Sequence, residues 1–554
     1  MAYPALNFFW GTACTTLAYP HTMPTPTTIA RPADQSLRDA LRVAAIFAAI
    51  KLVVTFVLTL YTQHLGYGYF RDEFYYLACG RHLAWGYVDH GPIVAVQARF
   101  GEMLFGDSVF AIRILSAVAG AIMVFLGGLI AWALGGRKPS QALGMFALIL
   151  TPQFIGTDGF LSMNSCEAMF WSFCILAIIL IQRGHSARLW WTLFGISAGV
   201  GLLNKPSMAF FLIALGLGLL LTPQRSLLFT RYAALGVVLL VVIALPNVLW
   251  QVHNHWPTLE FLHNGRVKGK NTILNPLQFF GAQFVNMQPL NALLWITGIV
   301  SLLRAKSIRD ARWLGFAYLF FFGMMYALHA KDYYLAGIYP ALFAAGAIAW
   351  EHRFADSPAV KRDRVIAFPV FESLLLVTTI LVLPLASPVL RPATWVRYTT
   401  AMHLHTQNSE TDSTGPLPQF YADRFGWQQQ LDLVTQAYRS LAPAEQQRVC
   451  IFASNYGEAG AIDFLGRREH DGLPPAISGQ NSYWSWGTHG CDPNVMIAIA
   501  GDSPASLSTK FESVTLVGTT DDPYSMPFEH RHVYLLRNRR ASAPFVWADK
   551  RFYF

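Results

Sequence analysis

Apolar stretches of about 17 to 25 residues, the length a helix needs to cross a hydrocarbon layer, recur along the first two thirds of this sequence with polar punctuation between them. A single soluble core cannot absorb that pattern. Hydrophobic residues make up 54% of the 554 and charged residues only 13%, against roughly a quarter charged in ordinary soluble domains. The expected fold is a mainly α-helical polytopic membrane protein with roughly eleven transmembrane helices.

The net charge of +9 does not point to nucleic acid, because Lys and Arg are spread over alternate short loops instead of gathering on one basic face. That spacing is topogenic. Arg31, Arg38 and Arg42 precede the first apolar run at 43–61, and the positive-inside rule therefore puts the N-terminus in the cytoplasm. Arg137 and Lys138, Arg183 and Arg188, Arg225 and Arg231, and Arg304 to Arg312 then fall inside as well. On this count residues 1–42 form a cytoplasmic leader without signal-peptide features, with Met23 as an alternative start. Residues 43–384 form the membrane domain, with long outer loops near 62–108 and 250–288. Residues 385–554 comprise a linker and a small α/β domain on the outer side. In that domain VCIFAS, VMIAIAG, SVTLVG and HVYLLR have the pattern of short buried strands, and WQQQLDLVTQAYRSL and YGEAGAIDFLG that of helices. Cys450 and Cys491 share this region, as a bridge or as two free thiols.

The first long outer loop contains YFRDEFYY and GYVDHGP. Asp72 and Glu73 there are either a solvated, helix-capping acid pair or a source of a general base, since a carboxylate can accept a proton from an attacking hydroxyl. Asp89 and His90 add an acid and an imidazole to the same loop. Cations placed against the charge rule fall outside: Lys205 in GLLNKPS, and Arg266, Lys268 and Lys270 in the second long loop. They suit a phosphate-bearing substrate through charge-assisted hydrogen bonds, or lipid headgroups reached by snorkelling. In HAKDYYLAGIYP, Lys331, Asp332, Tyr333 and Tyr334 form either an interfacial aromatic belt or a phosphate contact. The SNYGE string joins a strand to a helix start, a geometry that binds anions or sugar hydroxyls or simply turns the chain. His253, His255 and His263 are too irregularly spaced for a metal site.

The order of these features resembles the bacterial family 39 membrane glycosyltransferases. The motifs carrying the resemblance are the Asp-Glu pair, the string from Tyr87 to Pro92, FGDSVFAIRILSAVAG entering the second span, GLLNKPS, and SNYGEAGAIDF and ISGQNSYWSWG near the C-terminus. That family has the GT-C fold and is similar to protein O-mannosyltransferases and the aminoarabinose transferase of lipid A. The resemblance implies sugar transfer from a polyprenyl-phosphate carrier to a lipid, glycan or protein acceptor at the extracytoplasmic face of the bacterial inner membrane, with inversion. No cofactor, nucleotide sugar or divalent metal is expected, and the sequence has no Gly-rich phosphate loop.

By resemblance Asp72 and Glu73 are the catalytic pair, Asp72 deprotonating or orienting the acceptor and Glu73 supporting the loop or binding substrate. Lys205, Arg266, Lys268 and Lys331 are expected on the donor phosphate, and Asp89, His90, Asn164, Glu167 and Tyr334 on substrate. Where many relatives have an Asp at the outer start of the fourth span, SMNSCEAMFW has Asn164, with Glu167 three residues on and on the same helix face: Glu167 replaces the missing carboxylate, Asn164 hydrogen-bonds the sugar, or both cap the helix. Two rivals remain: a lipid or sugar-lipid transporter, and a scaffold that retains the fold. The spans show no internal repeat and no matched pair of broken helices of the kind alternating access uses. Sugar, acceptor and oligomeric state stay open.

Overall fold

The computed structural model describes residues 35–269, 272–354, 358–403, 415–469 and 472–554. The expected leader up to residue 34, and Lys270, lie outside the described residues. Helix α1 (Leu37–His64) is capped by Ser36, whose hydroxyl accepts the Asp39 N–H at 3.1 Å. Its buried stripe is small and polar, with Ala40, Ala44, Lys51, Thr55 and Thr59 recurring at helical spacing, while Ile46, Ile50, Val53 and Val57 are exposed. That inversion of the soluble pattern suits a helix whose solvent on one side is lipid.

The expected loop at 62–108 is instead largely helical. Helix α2 (Arg71–Arg81) begins with two acids that complement its positive end. Helix α3 (Pro92–Phe105) has Pro at its first turn and stops at Gly106, which has φ 90°. The chain continues through α4 (Val109–Ala133), α5 (Lys138–Ile149), the short α6 (Pro152–Thr157), α7 (Met163–Gln182), α8 (Ala187–Asn204), α9 (Ser207–Leu220) and α10 (Arg231–His253). The second expected loop also folds, into α11 (Pro257–Val267) and α12 (Pro276–Asn286), each opened by a Pro. Then come α13 (Ala292–Arg304), α14 (Arg312–Ala327), α15 (Tyr339–Arg353), α16 (Pro358–Ala386) and α17 (Pro392–Ala401).

Among the described residues six helices are long and apolar enough to cross a membrane, and shorter apolar helices include Ser207–Leu220 and Pro289–Arg304. The protein is multi-pass. Helices α4 and α7 form the centre of the bundle, with 72% and 78% of their apolar windows buried, against 22% for α1 and 11% for α10. Close approach depends on small residues: a Cβ on Gly195 of α8 would lie 2.3 Å from the Gly236 carbonyl of α10. Lys51, in the middle of α1, meets Asp158 after α6 at 2.8 Å, both side chains 1% exposed, and its ammonium also donates to the Phe154 carbonyl at 2.9 Å. Gly120 of α4 leaves room for this carboxylate. An intramembrane lysine is thus neutralised within the bundle.

The C-terminal domain is built on a five-stranded mixed sheet of order β2-β1-β3-β5-β4. After α18 (Gln419–Ala422), α19 (Trp427–Arg439) and α20 (Pro443–Gln446) come β1 (Val449–Ala453), α21 (Tyr456–Arg468), β2 (Ala476–Ser478), α22 (Asn481–Trp486), β3 (Asp492–Ala500), α23 (Pro504–Ser508), β4 (Phe511–Thr519) and β5 (His532–Arg539). Strand β1 runs parallel to β2 and β3, and the rest pair antiparallel. Helices α19 and α21 share an apolar core with β1, β3 and α2, so the domain is seated on the first loop. Cys450 and Cys491 are bridged, tying β1 to the residue before β3.

Closing a loop of 41 residues removes about 4 kcal/mol of chain entropy from the unfolded domain. Replacing both cysteines by serine is therefore expected to lower the thermal unfolding midpoint of the C-terminal domain by several degrees, measured in detergent under non-reducing conditions. Equal midpoints would mean the bridge contributes nothing.

Candidate active site

The adjacent acids at the start of α2 face opposite ways. Glu73 is fully buried and receives four hydrogen bonds, each 2.8 Å: from Arg113 Nε and Nη2 on α4, and from the backbone N–H groups of Phe70 and Leu161. Burial pushes its carboxyl up, but the Arg113 guanidinium outweighs this and holds it below the usual carboxylate range. So enclosed, Glu73 pins the first loop to the bundle. Asp72 is accessible, its side chain 29% exposed. Its Oδ1 accepts the Tyr456 hydroxyl at 2.9 Å and lies 3.7 Å from Arg71 Nε.

One turn beyond Asp72, the buried Tyr76 lies within electrostatic reach of Asp72, Asp89, Tyr456 and Tyr333. Burial pushes its phenol well above the ordinary value. Asp89 accepts the Tyr75 hydroxyl at 2.8 Å, and that hydroxyl also meets Ser482 of α22 at 2.8 Å. His90 is buried among Tyr75, Tyr76 and Tyr87. Its Nδ1 is 2.8 Å from the Gly91 carbonyl, which can only accept, so the proton sits there and Nε2 faces the Cys79 thiol at 3.6 Å. His90 therefore shapes the loop and also lines a cleft of about 160 Å³ with Gly91, Pro206, Gln251, Trp256 and Thr258.

Across Tyr333 lies a second cluster. Lys205, buried at the α8–α9 junction, donates to Asn164 Oδ1 and Glu167 Oε2 of α7, each at 2.9 Å. Ser207 donates to the other Glu167 oxygen. The ammonium stands over the rings of Tyr334 (4.1 Å) and Tyr333 (5.6 Å). Four residues singled out separately, Asn164, Glu167, Lys205 and Tyr334, are thus one assembly. The Asn–Glu spacing that departs from the resembled pattern makes a two-oxygen seat for the lysine.

The loop cations go elsewhere. Arg266 and Lys268 are exposed at the end of α11; Lys268 lies 5.0 Å over the Phe554 ring, and Asn264 donates to the Tyr553 carbonyl at 2.9 Å. Lys268 and Asn264 help seat the chain's last residues on α11. Lys331 caps the 3-10 turn Asp332–Ile338 that presents Tyr333 and Tyr334, and Asp332 accepts from Asn286 at 2.8 Å. Among the described residues no group of three or more His, Cys, Asp or Glu side chains is placed to hold a metal ion. Sequence reasoning passed over Arg113, although a lone Arg early in an apolar helix demands a buried partner. It offered Tyr456 only as part of the SNYGE string and did not pair it with Asp72, 384 residues away.

Behind Arg71 stands a buried acid pair of the C-terminal domain. Glu458 accepts from Ser454 N and Oγ at 2.6 and 2.7 Å, with Arg531 Nε at 3.9 Å. Burial first, then the Glu458 carboxylate beside it, push Glu529 up to about 8 despite Arg71 and the Asn455 amide that donates to it at 3.1 Å.

The family model described as dolichyl-phosphate-mannose-protein mannosyltransferase matches residues 89–250, a segment holding Asp89, His90, Asn164, Glu167 and Lys205 but not Asp72. The undecaprenyl phosphate-alpha-4-amino-4-deoxy-L-arabinose arabinosyl transferase of Pseudomonas aeruginosa (strain LESB58) is 33% identical over 155 residues, 27% of this chain and 28% of that protein. The corresponding transferase 1 of Pseudomonas fluorescens (strain Pf0-1) is 28% identical over 161 residues, 28% of each chain. These matches span little more than a quarter of the relatives' length. The crystal structure of ArnT from Cupriavidus metallidurans bound to undecaprenyl phosphate is similar over 90% of this chain and 99% of that one, with TM-score 0.58 and 17% identity. This chain therefore has the ArnT-type GT-C fold, and its sequence is related to the mannosyltransferases and aminoarabinose transferases.

Two outcomes follow from the buried acids. Glu73→Gln, which leaves the Arg113 charge uncompensated, is expected to cost about 3–5 kcal/mol, read as a lower melting temperature and poor recovery in detergent. Glu529 has a raised value in the folded domain, so the native state holds a proton that the unfolded chain releases above its ordinary value of 4.5. Its contribution to stability is full below that pH and is lost as pH rises towards about 8. Melting curves between pH 5 and 9 should therefore be flatter for Glu529→Gln than for the parent; parallel curves would refute the assignment.

Proposed function

We propose that this multi-pass protein of ArnT-type fold is a membrane glycosyltransferase that moves a sugar from a polyprenyl-phosphate carrier to a hydroxyl-bearing acceptor, with inversion. The observation that carries the reading is an accessible carboxylate, Asp72, on a helix locked by Glu73 and Arg113, together with the buried ammonium of Lys205, which stands over the ring of Tyr333. Sugar transfer of this kind needs a base on one side of the anomeric carbon and a positive charge where the phosphate departs.

Asp72 takes the acceptor's proton as its oxygen forms a bond to the anomeric carbon. The bond from that carbon to the phosphate oxygen breaks, and the electron pair leaves with the polyprenyl phosphate. Lys205 has committed two N–H groups, to Asn164 and Glu167, and its third N–H is the donor offered to the phosphate. The cleft beside His90, Gln251 and Trp256 is also lined by Pro206, next in sequence to Lys205. The chemistry calls on no nucleotide sugar, cofactor or divalent metal. The curated relatives' names supply the donor class, an undecaprenyl-phosphate-linked sugar, with an envelope lipid, glycan or protein as acceptor. We assign the site and the C-terminal domain to the extracytoplasmic face of a bacterial inner membrane, in keeping with the alternating loop charges and the disulfide.

Mass spectrometry of envelope glycolipids and glycoproteins with and without the protein should reveal one missing sugar and an accumulating carrier-linked donor. Once that pair is known, Asp72→Asn is expected to lower kcat by about 10²- to 10⁴-fold with normal insertion and donor binding. Lys205→Met should cost about 10²-fold. Unchanged transfer by the Asp72 variant would remove it from the mechanism, and a normal envelope without the protein would favour a transporter or scaffold.

A further inference from the structure

The C-terminal domain touches the proposed base directly, through the SNYGEAG string. Strand β1 ends at Ala453, and Asn455 caps α21 by accepting the Glu458 N–H at 2.9 Å. The helix then lies against α2 without a spacer: a Cβ on Gly457 would come within 2.3 Å of Arg71 Cγ, and one on Gly460 within 3.0 Å of the Phe74 backbone. Between these contacts the Tyr456 side chain is held on several sides. Its ring packs on Tyr75 with centroids 4.6 Å apart, the Arg71 guanidinium lies 5.6 Å over it, and its N–H donates to Gln480 Oε1 at 3.0 Å. Its hydroxyl donates to Asp72 Oδ1 at 2.9 Å.

We propose that Tyr456 is a positioning residue for the transfer reaction: its hydroxyl fixes Asp72 through Oδ1, leaving Oδ2 to take the acceptor's proton, so the C-terminal domain completes the catalytic loop. The inference rests on the reading of Asp72 as the base. A carboxylate at the first turn of a helix can rotate about its side-chain bonds, and one donated hydrogen bond removes that freedom where one oxygen must meet a substrate proton. A donated hydrogen bond also stabilises negative charge on a carboxylate oxygen. The ionisable groups around Asp72 are Arg71 on its own helix, Tyr76 one turn on and Tyr456 from α21. Behind Arg71 stand Asp423, 3.8 Å from its Nε, and Glu529. Of these, Tyr456 is the group from the C-terminal domain that reaches the carboxylate.

The test compares full-length Tyr456→Phe, Asp72→Asn and the parent in one detergent preparation, with the carrier-linked sugar identified from the envelope. Tyr456→Phe removes a single oxygen and keeps the ring contacts. We expect kcat to fall about 10- to 100-fold, the scale of a hydrogen bond to a charged group, with KM for the donor unchanged. The acid limb of the kcat profile should also move to higher pH. The position of that limb does not depend on how much protein is folded, so it decides the matter even if the variant is less stable. A limb and KM at parental positions, with only a lower plateau or no change, would overturn the proposal and leave Tyr456 as packing. Asp72→Asn retaining full transfer would instead defeat the reading of the base.

Discussion

A carboxylate and a guanidinium withdrawn from water, Glu73 and Arg113, hold the first loop to the bundle, and most of the functional geometry depends on them. Each ion pays a desolvation cost of several kcal/mol, offset here by a two-point ion pair and two backbone N–H groups aimed at the same carboxylate. The donors come from α4, from the turn before α2 and from the segment before α7. One side chain thereby fixes three parts of the chain relative to one another. Helix α2 is then a rigid platform, and both Asp72 and the docking surface for α21 are defined by it.

Consecutive residues on a helix point about 100° apart. The Asp-Glu pair exploits this: Glu73 faces the bundle and is saturated, while Asp72 faces the C-terminal domain and remains accessible. The Lys205 assembly uses similar logic with opposite charge. A buried ammonium without a counter-ion would be expensive, and here Asn164, Glu167 and two tyrosine rings surround it.

What could be inferred from the sequence divides by range. Hydropathy periodicity located the bundle, and short buried runs located β1, β3, β4 and β5, because both signals are local. Strand β2 escaped, since Ala476–Ser478 has only three residues. The segments at 62–108 and 250–288 read as loops because polar residues hide helices whose apolar faces rest on other parts of the protein; their Pro and Gly punctuation was the available signal. Asp72, Lys205, Asn164 and Glu167 were visible as oddities of charge and position. Their grouping was not, because nothing local in GLLNKPS says that its lysine will sit between SMNSCE and DYY. Arg266 and Lys268 had the expected charge, but α11 sets Lys268 against the ring of Phe554 and leaves Arg266 exposed. Tyr456 could not be distinguished from other helix-start residues before the sheet domain was folded onto α2.

The Cys450–Cys491 bridge joins the first strand of the sheet to the approach to its third. Such a bond persists where thiols are oxidised and is removed where they are kept reduced. The sheet that carries Tyr456 to Asp72 is therefore braced covalently on only one side of a cell membrane. A molecule inserted the wrong way round would keep its helices and its Glu73 anchor, yet would present a looser domain to the first loop. The oxidation state of two cysteines thus serves as a molecular record of orientation.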